Sequence, residues 1–547
     1  MTTLPRRCRF AAFVFVVALL AACERRPQLL PIPAPDVGAF EKSVQIAIVR
    51  AQADLDQAQA NRANNADLGE AFGQLAMTYH AHQLGPSAQA AYRDAQLLAP
   101  RDPRWPYLLG QVYQDTAKTE QAIAAFEAVL ALSPEHKPAL HALGRAALQR
   151  GELDKAQAAF EKLLDAPDSR AAALAGLGMI AMARNDPRGA VARLEEALQL
   201  APGAARLRQP LAMAWRAAGD AAKAQAALLG FSPDAPEPGV PDPLVRVLAD
   251  KAATSRALLQ RGQRYGQEGK FDLAAQAFKA AAQSQPNDAA TLVNLGISLA
   301  NLGQLEPAEQ ALRRSLAVDA NNPVAQFSLA IVCDRQGRDA DARALYTAII
   351  GRDPRHHQAR LYLADALLRS GDADTAVRIY SEALAQQATP RTRLSLAFAQ
   401  IKAGHFGQAK AQLEQGLATD PRDIGMANAL VRLLSAAPDA SVRDGARARQ
   451  LGRALFESTQ SPEVGESYAM ALAETGDFEV AQKLQHDALA ALEKMQRPHA
   501  MQLAQRNLAL YRQGKPAREP WSGQDIVFQP RSPAVSRFQG TTAAKTQ

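Results

Sequence analysis

The chain has 547 residues, of which 48% are hydrophobic and 21% are charged, so it can bury a large core and disorder of the whole chain is excluded. Its formal net charge is +7, but basic and acidic residues are interspersed without a long basic block, and no nucleic-acid partner is expected. The three cysteines, Cys8, Cys23 and Cys333, provide no disulfide framework.

The first 22 residues have the features of an export signal. Residues 1–9 carry three arginines and no acidic residue, residues 10–20 form an apolar run, and the small residues Ala21 and Ala22 follow. A helix of that apolar run would rise only about 16 Å, roughly half of the hydrocarbon core of a bilayer. The run is therefore too short for a stable membrane span, and residues 1–22 are predicted to be a signal peptide.

The residues at the end of this segment, Leu20, Ala21, Ala22 and Cys23, resemble the lipobox of bacterial lipoproteins. The resemblance implies cleavage directly before Cys23, acylation of its thiol and of the new amino terminus, and attachment to a membrane through this lipid anchor. Simple secretory cleavage and an uncleaved anchor are the alternatives. Glu24 stands where members retained at the inner membrane often have Asp, so the outer membrane, facing the periplasm, is favoured, although this sorting rule varies between bacteria.

After the signal, residues 23–39 are rich in proline and favour an extended tether, and residues 40–66 are predicted to form an N-terminal capping helix. Alanines then recur every 34 residues. They are Ala88, Ala122, Ala156, Ala190 and Ala224, and again Ala274, Ala308, Ala342 and Ala376. A large apolar residue follows four residues after each one: Tyr92, Phe126, Phe160, Leu194, Leu228, Phe278, Leu312, Tyr346 and Tyr380. Six of these nine are aromatic in a chain that is 5% aromatic, so the period is not a product of abundant alanine.

Glycines and prolines keep the same period. Glycines fall between the two halves of a repeat, at Gly151, Gly219, Gly269, Gly303, Gly337, Gly371 and Gly404. Prolines recur near the end of a repeat, at Pro100, Pro134, Pro167, Pro202, Pro286, Pro354 and Pro421. This pattern resembles the tetratricopeptide repeat (TPR) family over roughly residues 69–490. The resemblance implies an all-α solenoid of about 10 to 12 helix-turn-helix repeats, stacked into a right-handed superhelix.

The period breaks once, between Ala224 and Ala274, where five prolines fall within residues 233–243. The array is therefore predicted to have two blocks, at residues 69–230 (about five repeats) and 255–490 (five clear repeats and degenerate ones), joined by a Pro-rich linker at residues 231–254. The linker predicts interrupted stacking and a protease-sensitive hinge. The competing hypothesis is a helix over residues 244–251 that docks across both blocks. Residues 491–513 are predicted to cap the array, and residues 514–547 to be a mostly unstructured tail.

No segment outside the repeats is long enough for a catalytic domain, and the sequence has no Gly-rich phosphate loop, H-E-x-x-H, C-x-x-C or G-x-S-x-G motif. The protein is therefore predicted not to be an enzyme, and no cofactor is expected. The histidine pairs 80/82 and 356/357 lack the geometry of a metal site, so none is predicted.

Four further residues have a structural interpretation. Cys333, Trp105 and Trp215 fall at positions expected to pack in the core or between repeats. For Trp521 two interpretations stay open: it folds back onto the last helix, or it belongs to a short exposed peptide for a partner.

The resemblance also implies a binding groove, lined by the first helix of each repeat. The predicted groove residues are Tyr107, Gln111, Arg145, Arg216, Phe327, Arg335, Tyr362, Asp365, Arg369 and Phe398. Their mixed aromatic, arginine and amide chemistry favours binding of partner proteins or peptides. The sequence thus predicts a membrane-anchored periplasmic scaffold, used in assembly of an envelope, secretion or exopolysaccharide system. Direct binding of a saccharide or anionic polymer in the groove is the alternative.

Overall fold

The computed structural model describes residues 27–494 and 498–532. Within these ranges the chain forms 27 α-helices and two 3-10 turns, and no β-strand. The prediction of an all-α solenoid of helix pairs is confirmed. The predicted signal peptide, the lipidation site Cys23 and residues 533–547 of the tail lie outside the described residues.

Two compact units divide the chain. Unit 1 consists of the residues up to Arg261 with Gln283–Gln285, and unit 2 consists of Gly262–Ala282 and the residues from Pro286 onward. The first twelve helices are α1 (Lys42–Ala60), α2 (Asn65–Ala81), α3 (Gly85–Leu98), α4 (Arg104–Asp115), α5 (Thr119–Leu132), α6 (Lys137–Arg150), α7 (Leu153–Glu161), α8 (Arg170–Ala183), α9 (Pro187–Leu200), α10 (Arg208–Ala217), α11 (Ala221–Ala227) and α12 (Pro243–Ala249). A 3-10 turn, Ala205–Leu207, precedes α10.

The division between the units falls within α13, and the remaining helices belong to unit 2 except for the last two residues of α14. These helices are α13 (Ser255–Gln267), α14 (Phe271–Ser284), α15 (Ala289–Asn301), α16 (Leu305–Val318), α17 (Pro323–Arg335), α18 (Asp339–Arg352), α19 (His357–Arg369), α20 (Ala373–Gln386), α21 (Pro390–Lys402), α22 (Phe406–Thr419), α23 (Ile424–Ala436), α24 (Gly445–Thr459), α25 (Pro462–Glu474), α26 (Phe478–Lys494) and α27 (Pro498–Arg512). The second 3-10 turn, Ile526–Phe528, lies beyond α27.

Sequence signals at the helix ends explain where each pair turns. The turn between the two helices of a pair needs a left-handed residue, and all seven predicted glycines have positive φ, for example 77° at Gly151 and 79° at Gly337. Polar side chains cap the first helices: Asp288 Oδ2 accepts the amide of Thr291 at 2.9 Å. The recurring prolines follow the second helices and end them.

Small residues let the paired helices approach closely. A Cβ built on Gly110 would lie 2.5 Å from the ring of Phe126, and one on Gly144 would lie 2.7 Å from the ring of Phe160. The ring of Phe126 is fully buried, so it has no room to move away. The aromatic and the small residue therefore fill one shared space, which is why both keep the 34-residue period.

Three residues with predicted packing roles lie where expected. Cys333 is fully buried, and burial raises the pKa of its thiol. Trp105 is buried between the first repeats, and Trp215 is half-buried with the ammonium of Lys223 4.2 Å from its ring centroid.

Several predicted connecting segments are docked rather than free. In the predicted tether, the amide of Leu30 donates to Asp94 Oδ1 at 2.9 Å, and Ser87 Oγ donates to the carbonyl of Pro33 at 2.7 Å. The predicted linker contains helix α12, which packs against α2 of unit 1. The prediction of a mostly unstructured tail is wrong for residues 515–532, because their side chains pack against the helices of unit 2.

Candidate partner-binding grooves

In each unit, the first helices of five consecutive pairs contribute to one surface. In unit 1 this surface, the unit 1 groove, is formed by α2, α4, α6, α8 and α10. In unit 2 the corresponding surface, the unit 2 groove, is formed by α17, α19, α21, α23 and α25. A segment of the chain itself lies along each groove: the linker segment, residues 231–254, in unit 1, and the C-terminal segment, residues 515–532, in unit 2.

Tyr107 of α4 is the main polar contact between the linker segment and the unit 1 groove. Its hydroxyl donates to Asp242 Oδ2 at 2.5 Å and accepts from Gln111 Nε2 at 2.9 Å. Burial and the neighbouring Asp242 carboxylate raise the pKa of this hydroxyl, so it remains a donor at neutral pH. The predicted groove residues Tyr107 and Gln111 therefore hold a segment of their own chain.

The charges of the linker segment match those of the groove. Glu237 lies 3.8 Å from a guanidinium nitrogen of Arg145 and 3.6 Å from one of Arg206. Further along, Val240 packs against the core of the third and fourth repeats, and Leu244 and Leu248 of α12 pack against the core of the first repeats. The linker segment thus runs from the last repeat of unit 1 back toward the first.

A cavity of about 450 Å³ remains open beside Glu237 in the unit 1 groove. Its lining includes His141, Arg145 and Met213. Burial, with the nearby positive charge of Arg145, lowers the pKa of His141 to about 4, so its ring is neutral at neutral pH. Met213 is 58% exposed, and the cavity is therefore reachable from solvent.

In the unit 2 groove two aromatic side chains of the C-terminal segment contact Phe398 of α21. The ring centroids of Trp521 and Phe528 lie 5.7 Å and 6.5 Å from that of Phe398, both in edge-to-face geometry. Each also meets a cation: the Arg432 guanidinium lies 5.3 Å from the Trp521 ring and the Lys402 ammonium 5.0 Å from the Phe528 ring. Trp521 is 7% exposed and folds back, but onto α21 and α23 rather than onto the last helix, as one of its two interpretations expected.

A buried charged cluster holds the far end of the C-terminal segment. Arg369 of α19 donates to Asp334 of α17, to Asp339 Oδ1 at 2.7 Å and to the carbonyl of Pro530. Asp334 Oδ2 in turn accepts the amide of Ser532 at 2.8 Å. The side chains of Arg369 and Asp334 are 1% and 0% exposed, so their pairing is shielded from water.

Two predicted groove residues, Tyr362 and Asp365, are buried beneath this cluster, and a third, Phe327, is half-buried against Tyr362. Phe327 and Tyr362 stack with their ring centroids 5.8 Å apart and their planes 6° from parallel. Asp365 accepts a hydrogen bond from the hydroxyl of Tyr380, and burial raises the pKa of its carboxyl to about 6. The expectation that Tyr362 and Asp365 present a free surface is wrong, because repeat packing covers both.

The other two predicted arginines do not contact the docked segments. Arg335 Nη1 donates to the carbonyl of Ala300 at 2.6 Å, at the end of α15. Arg216 of α10 is exposed. Of the ten predicted residues, the docked segments are contacted directly by Tyr107, Arg145, Arg369 and Phe398.

Sequence reasoning missed Arg432, Glu466, Asp242 and Glu237. Arg432 lies in a degenerate repeat, where the period does not define equivalent positions, and it donates to Glu466 Oε2 at 2.9 Å. Asp242 and Glu237 lie in the linker segment, which the period does not cover. The usable signal was the presence of charged and aromatic residues within two proline-rich stretches.

Residues 27–494 and 498–532 contain no group of three or more His, Cys, Asp or Glu side chains placed to hold a metal ion. No helix in the same ranges is both long and apolar enough to cross a membrane.

Comparison with known families settles the identity of the repeats. A family model described as "Tetratricopeptide repeat" matches residues 115–178 and 181–240. The chain is a tetratricopeptide repeat protein. A second model, described as "Cilia and flagella-associated protein 70 C-terminal domain", matches residues 245–421. TPR repeats generally bind protein partners, and TPR proteins are generally scaffolds rather than catalysts.

Similarity to individual proteins is low. No curated protein matches the chain. Among solved structures, a TPR protein from Parabacteroides merdae is 17% identical, covering 47% of this chain and 98% of its own with a TM-score of 0.37. Yeast Tom70 is 14% identical (79% of this chain, 99% of its own, TM-score 0.31), and MamA is 20% identical (28% and 90%, TM-score 0.27). The assignment to the TPR family rests on the repeat geometry and the family model, not on these superpositions.

Proposed function

We propose that this TPR protein is a lipid-anchored scaffold of the bacterial cell envelope, facing the periplasm from the outer membrane, which binds segments of partner proteins in its grooves. In this role it brings together components of an envelope, secretion or exopolysaccharide system and catalyses no reaction itself. The proposal combines the targeting pattern of the N-terminus with the chemistry of the two grooves.

The observation that carries the proposal is that each groove already holds a polypeptide segment. In the unit 2 groove, basic side chains donate to backbone carbonyls while aromatic side chains pack edge to face. In the unit 1 groove, a tyrosine hydroxyl and arginine side chains meet carboxylates. These contacts recognise backbone and side chains of a peptide, so the grooves have the chemistry needed for a partner protein.

The saccharide alternative is less well supported. Sugar stacking needs open aromatic rings, and among the predicted groove residues Tyr107 and Tyr362 are the tyrosines that could provide them. Tyr107 is covered by the linker segment, and its ring centroid lies 5.0 Å from that of His136. Tyr362 is stacked on Phe327 and is 5% exposed.

The membrane anchor is tested by Cys23→Ala. The proposal expects the variant to be exported but uncleaved at this position and to incorporate no fatty acid, because the acylated thiol is gone. The measurement is labelling with a radioactive or clickable fatty-acid precursor, followed by membrane fractionation. Equal labelling of the variant and the wild-type protein would contradict the anchor, and Cys333→Ala is the control that should label normally.

The scaffold role is tested by photo-crosslinking in the native envelope. A photoreactive amino acid at Met213, which lines the unit 1 cavity and is 58% exposed, should capture one or a few envelope proteins reproducibly. The matched control is the same amino acid at Leu132, which is 43% exposed at the end of a second helix. Equal capture from both positions, or none from Met213, would contradict partner binding in this groove.

A further inference from the structure

We infer that the C-terminal segment is a displaceable intramolecular ligand of the unit 2 groove, and that the partner for this groove is an extended peptide of the same chemistry. That chemistry is two aromatic anchors separated by six residues, followed by proline two residues after the second anchor, as in Trp521, Phe528 and Pro530. The inference rests on the proposed function of the grooves and specifies the ligand class of one of them.

The groove binds the backbone of the segment through hydrogen bonds from one basic residue on each of three successive first helices. Arg432 of α23 donates to the carbonyl of Pro520 at 2.8 Å, and Lys402 of α21 donates to the carbonyl of Gly523 at 2.6 Å. Arg369 of α19 donates to the carbonyl of Pro530. Carbonyls are present in every peptide, so these three donors can bind any chain that runs across the helices in the same direction.

Selectivity comes from the aromatic anchors. Trp521 and Phe528 are 7% and 3% exposed, and both use Phe398 as a common partner. Ile526, between them, is 67% exposed and contributes to the short 3-10 turn that brings the two anchors to the same ring. Aromatic side chains in desolvated pockets dominate the binding energy of protein interfaces, so a competing peptide needs these two anchors.

The segment leaves hydrogen-bond acceptors of the groove without a donor, which makes displacement by a better-matched peptide possible. A cavity of about 670 Å³ lies beside Trp521, and its lining includes Asn428 and Glu466. Asn428 Oδ1 and Glu466 Oε1 are buried, and neither accepts a hydrogen bond from any residue that the structure describes. A partner peptide that carries a lysine or arginine into this cavity would satisfy acceptors that the C-terminal segment does not, and would bind more tightly.

Chain connectivity distinguishes the two docked segments. The linker segment is tied at both ends, to α11 on one side and to α13 on the other, and it contains α12. Among the described residues, the C-terminal segment follows α27 and contains no α-helix, so it can leave its groove without unfolding one. The unit 2 groove is therefore the one that can exchange its own segment for a partner.

The test uses the full chain and a fluorescent synthetic peptide of residues 515–532, with binding followed by anisotropy. The double variant Trp521→Ala, Phe528→Ala should bind the peptide on the order of 10- to 100-fold more tightly than the wild-type chain, because the tethered segment competes at an effective concentration near millimolar. Ile526→Ala is the matched control and should behave as the wild type. Adding Phe398→Ala to the double variant should weaken peptide binding at least about tenfold.

Equal affinity of the wild type and the double variant, or no binding by a double variant with native helicity, would overturn the inference. A wild-type chain that forms dimers through exchange of the segment would also overturn it, since the ligand would then act between copies. If the double variant does not fold, a protease site placed between Gly514 and Lys515 allows the segment to be cut after folding. The cut segment should then dissociate on dilution and rebind, whereas permanent retention would contradict displacement.

The experiment separates this inference from the scaffold function. If the peptide fails to bind but photo-crosslinking from Met213 still captures envelope proteins, the scaffold function stands and the inference of a displaceable intramolecular ligand fails. If the peptide binds as expected but no envelope protein is captured, the unit 2 groove is a peptide site and the proposed scaffold role fails.

Discussion

Arg369→Met removes the guanidinium that joins the C-terminal segment to the unit 2 groove. In the native chain this group pairs with Asp334 and with Asp339 Oδ1 and donates to the carbonyl of Pro530. Methionine replaces the aliphatic stem of the arginine with an uncharged, unbranched side chain. The substitution therefore leaves the packing largely unchanged and leaves Asp334 as a buried carboxylate with the Ser532 amide as its remaining donor to the side chain.

The size of the effect follows from burial. Removing one partner of a buried ion pair costs about 3 to 5 kcal/mol, because the other charge stays out of water without compensation. The matched control is Arg378→Met, where the arginine side chain is 63% exposed and pairs with Glu382 one helical turn away. Such an exposed pair contributes only about 0.3 to 0.5 kcal/mol. Arg369→Lys keeps the charge but loses the planar fork, so its effect should be intermediate.

The assay is urea unfolding of the full chain followed by circular dichroism, with hydrogen exchange at residues 525–532 measured in parallel. Arg369→Met should lower the free energy of unfolding of unit 2 by about 3 kcal/mol or more and should speed exchange in the C-terminal segment, while Arg378→Met should do neither. The reasoning is refuted if the two methionine variants are equally stable. It is also refuted if Arg369→Met unfolds more easily but leaves exchange of the segment unchanged.

Three other variants test separate parts of the account. The pKa of the Asp365 carboxyl is raised to about 6, above its unfolded value, so its contribution to stability is present at low pH and is lost as pH rises through about 6. Asp365→Asn should therefore stabilise unit 2 by on the order of 2 to 3 kcal/mol at pH 7.5 and have no effect at pH 4, as measured by urea titrations. Gly110→Ala should lower the melting temperature through a clash that costs about 1 to 3 kcal/mol, whereas Gly351→Ala, which meets open space, should raise it or leave it unchanged. Tyr107→Phe removes the hydroxyl bound to Asp242, so limited proteolysis within residues 231–242 should become faster, and an unchanged cleavage rate would contradict the docked linker segment.

The repeat architecture was predictable because it depends on local, periodic requirements. A small residue facing a buried ring, as at Gly110 and Phe126, recurs in most repeats, and each recurrence adds to the signal. A left-handed turn residue is likewise needed once per repeat, and glycine meets that need at Gly151 and six later positions. Such constraints repeat along the sequence, so the helix pairs could be placed without a structure.

The occupants of the grooves could not be predicted in the same way. The contact between Trp521 and Phe398 joins residues more than a hundred positions apart, and it occurs once. A proline-rich composition predicts an irregular backbone but does not say whether that backbone docks. The period does not reach Trp521, so the sequence left its two interpretations open and predicted a mostly unstructured tail, whereas the burial of Trp521 against unit 2 depends on non-local side-chain contacts.

For the individual groove residues, the sequence predicted the position on the helix but not the contacts of the side chain. Family geometry places residues such as Arg369 and Arg335 on the first helix, but it does not decide whether each side chain faces a partner or its own neighbours. Arg369 lies between two aspartates and becomes buried, while Arg335 reaches the carbonyl of Ala300 instead. Charge reversal at these two arginines is therefore a test of stability before it is a test of binding.

Hydrogen-deuterium exchange on the wild-type full-length chain tests the central claim most directly, which is that both grooves hold segments of the same chain. The account predicts that amides in residues 250–253 and 525–532 exchange at least about tenfold more slowly than an unstructured chain, since several are bonded within the docked segments or to groove side chains. Exchange at unstructured rates throughout both ranges, in a chain whose helices remain protected, would contradict it.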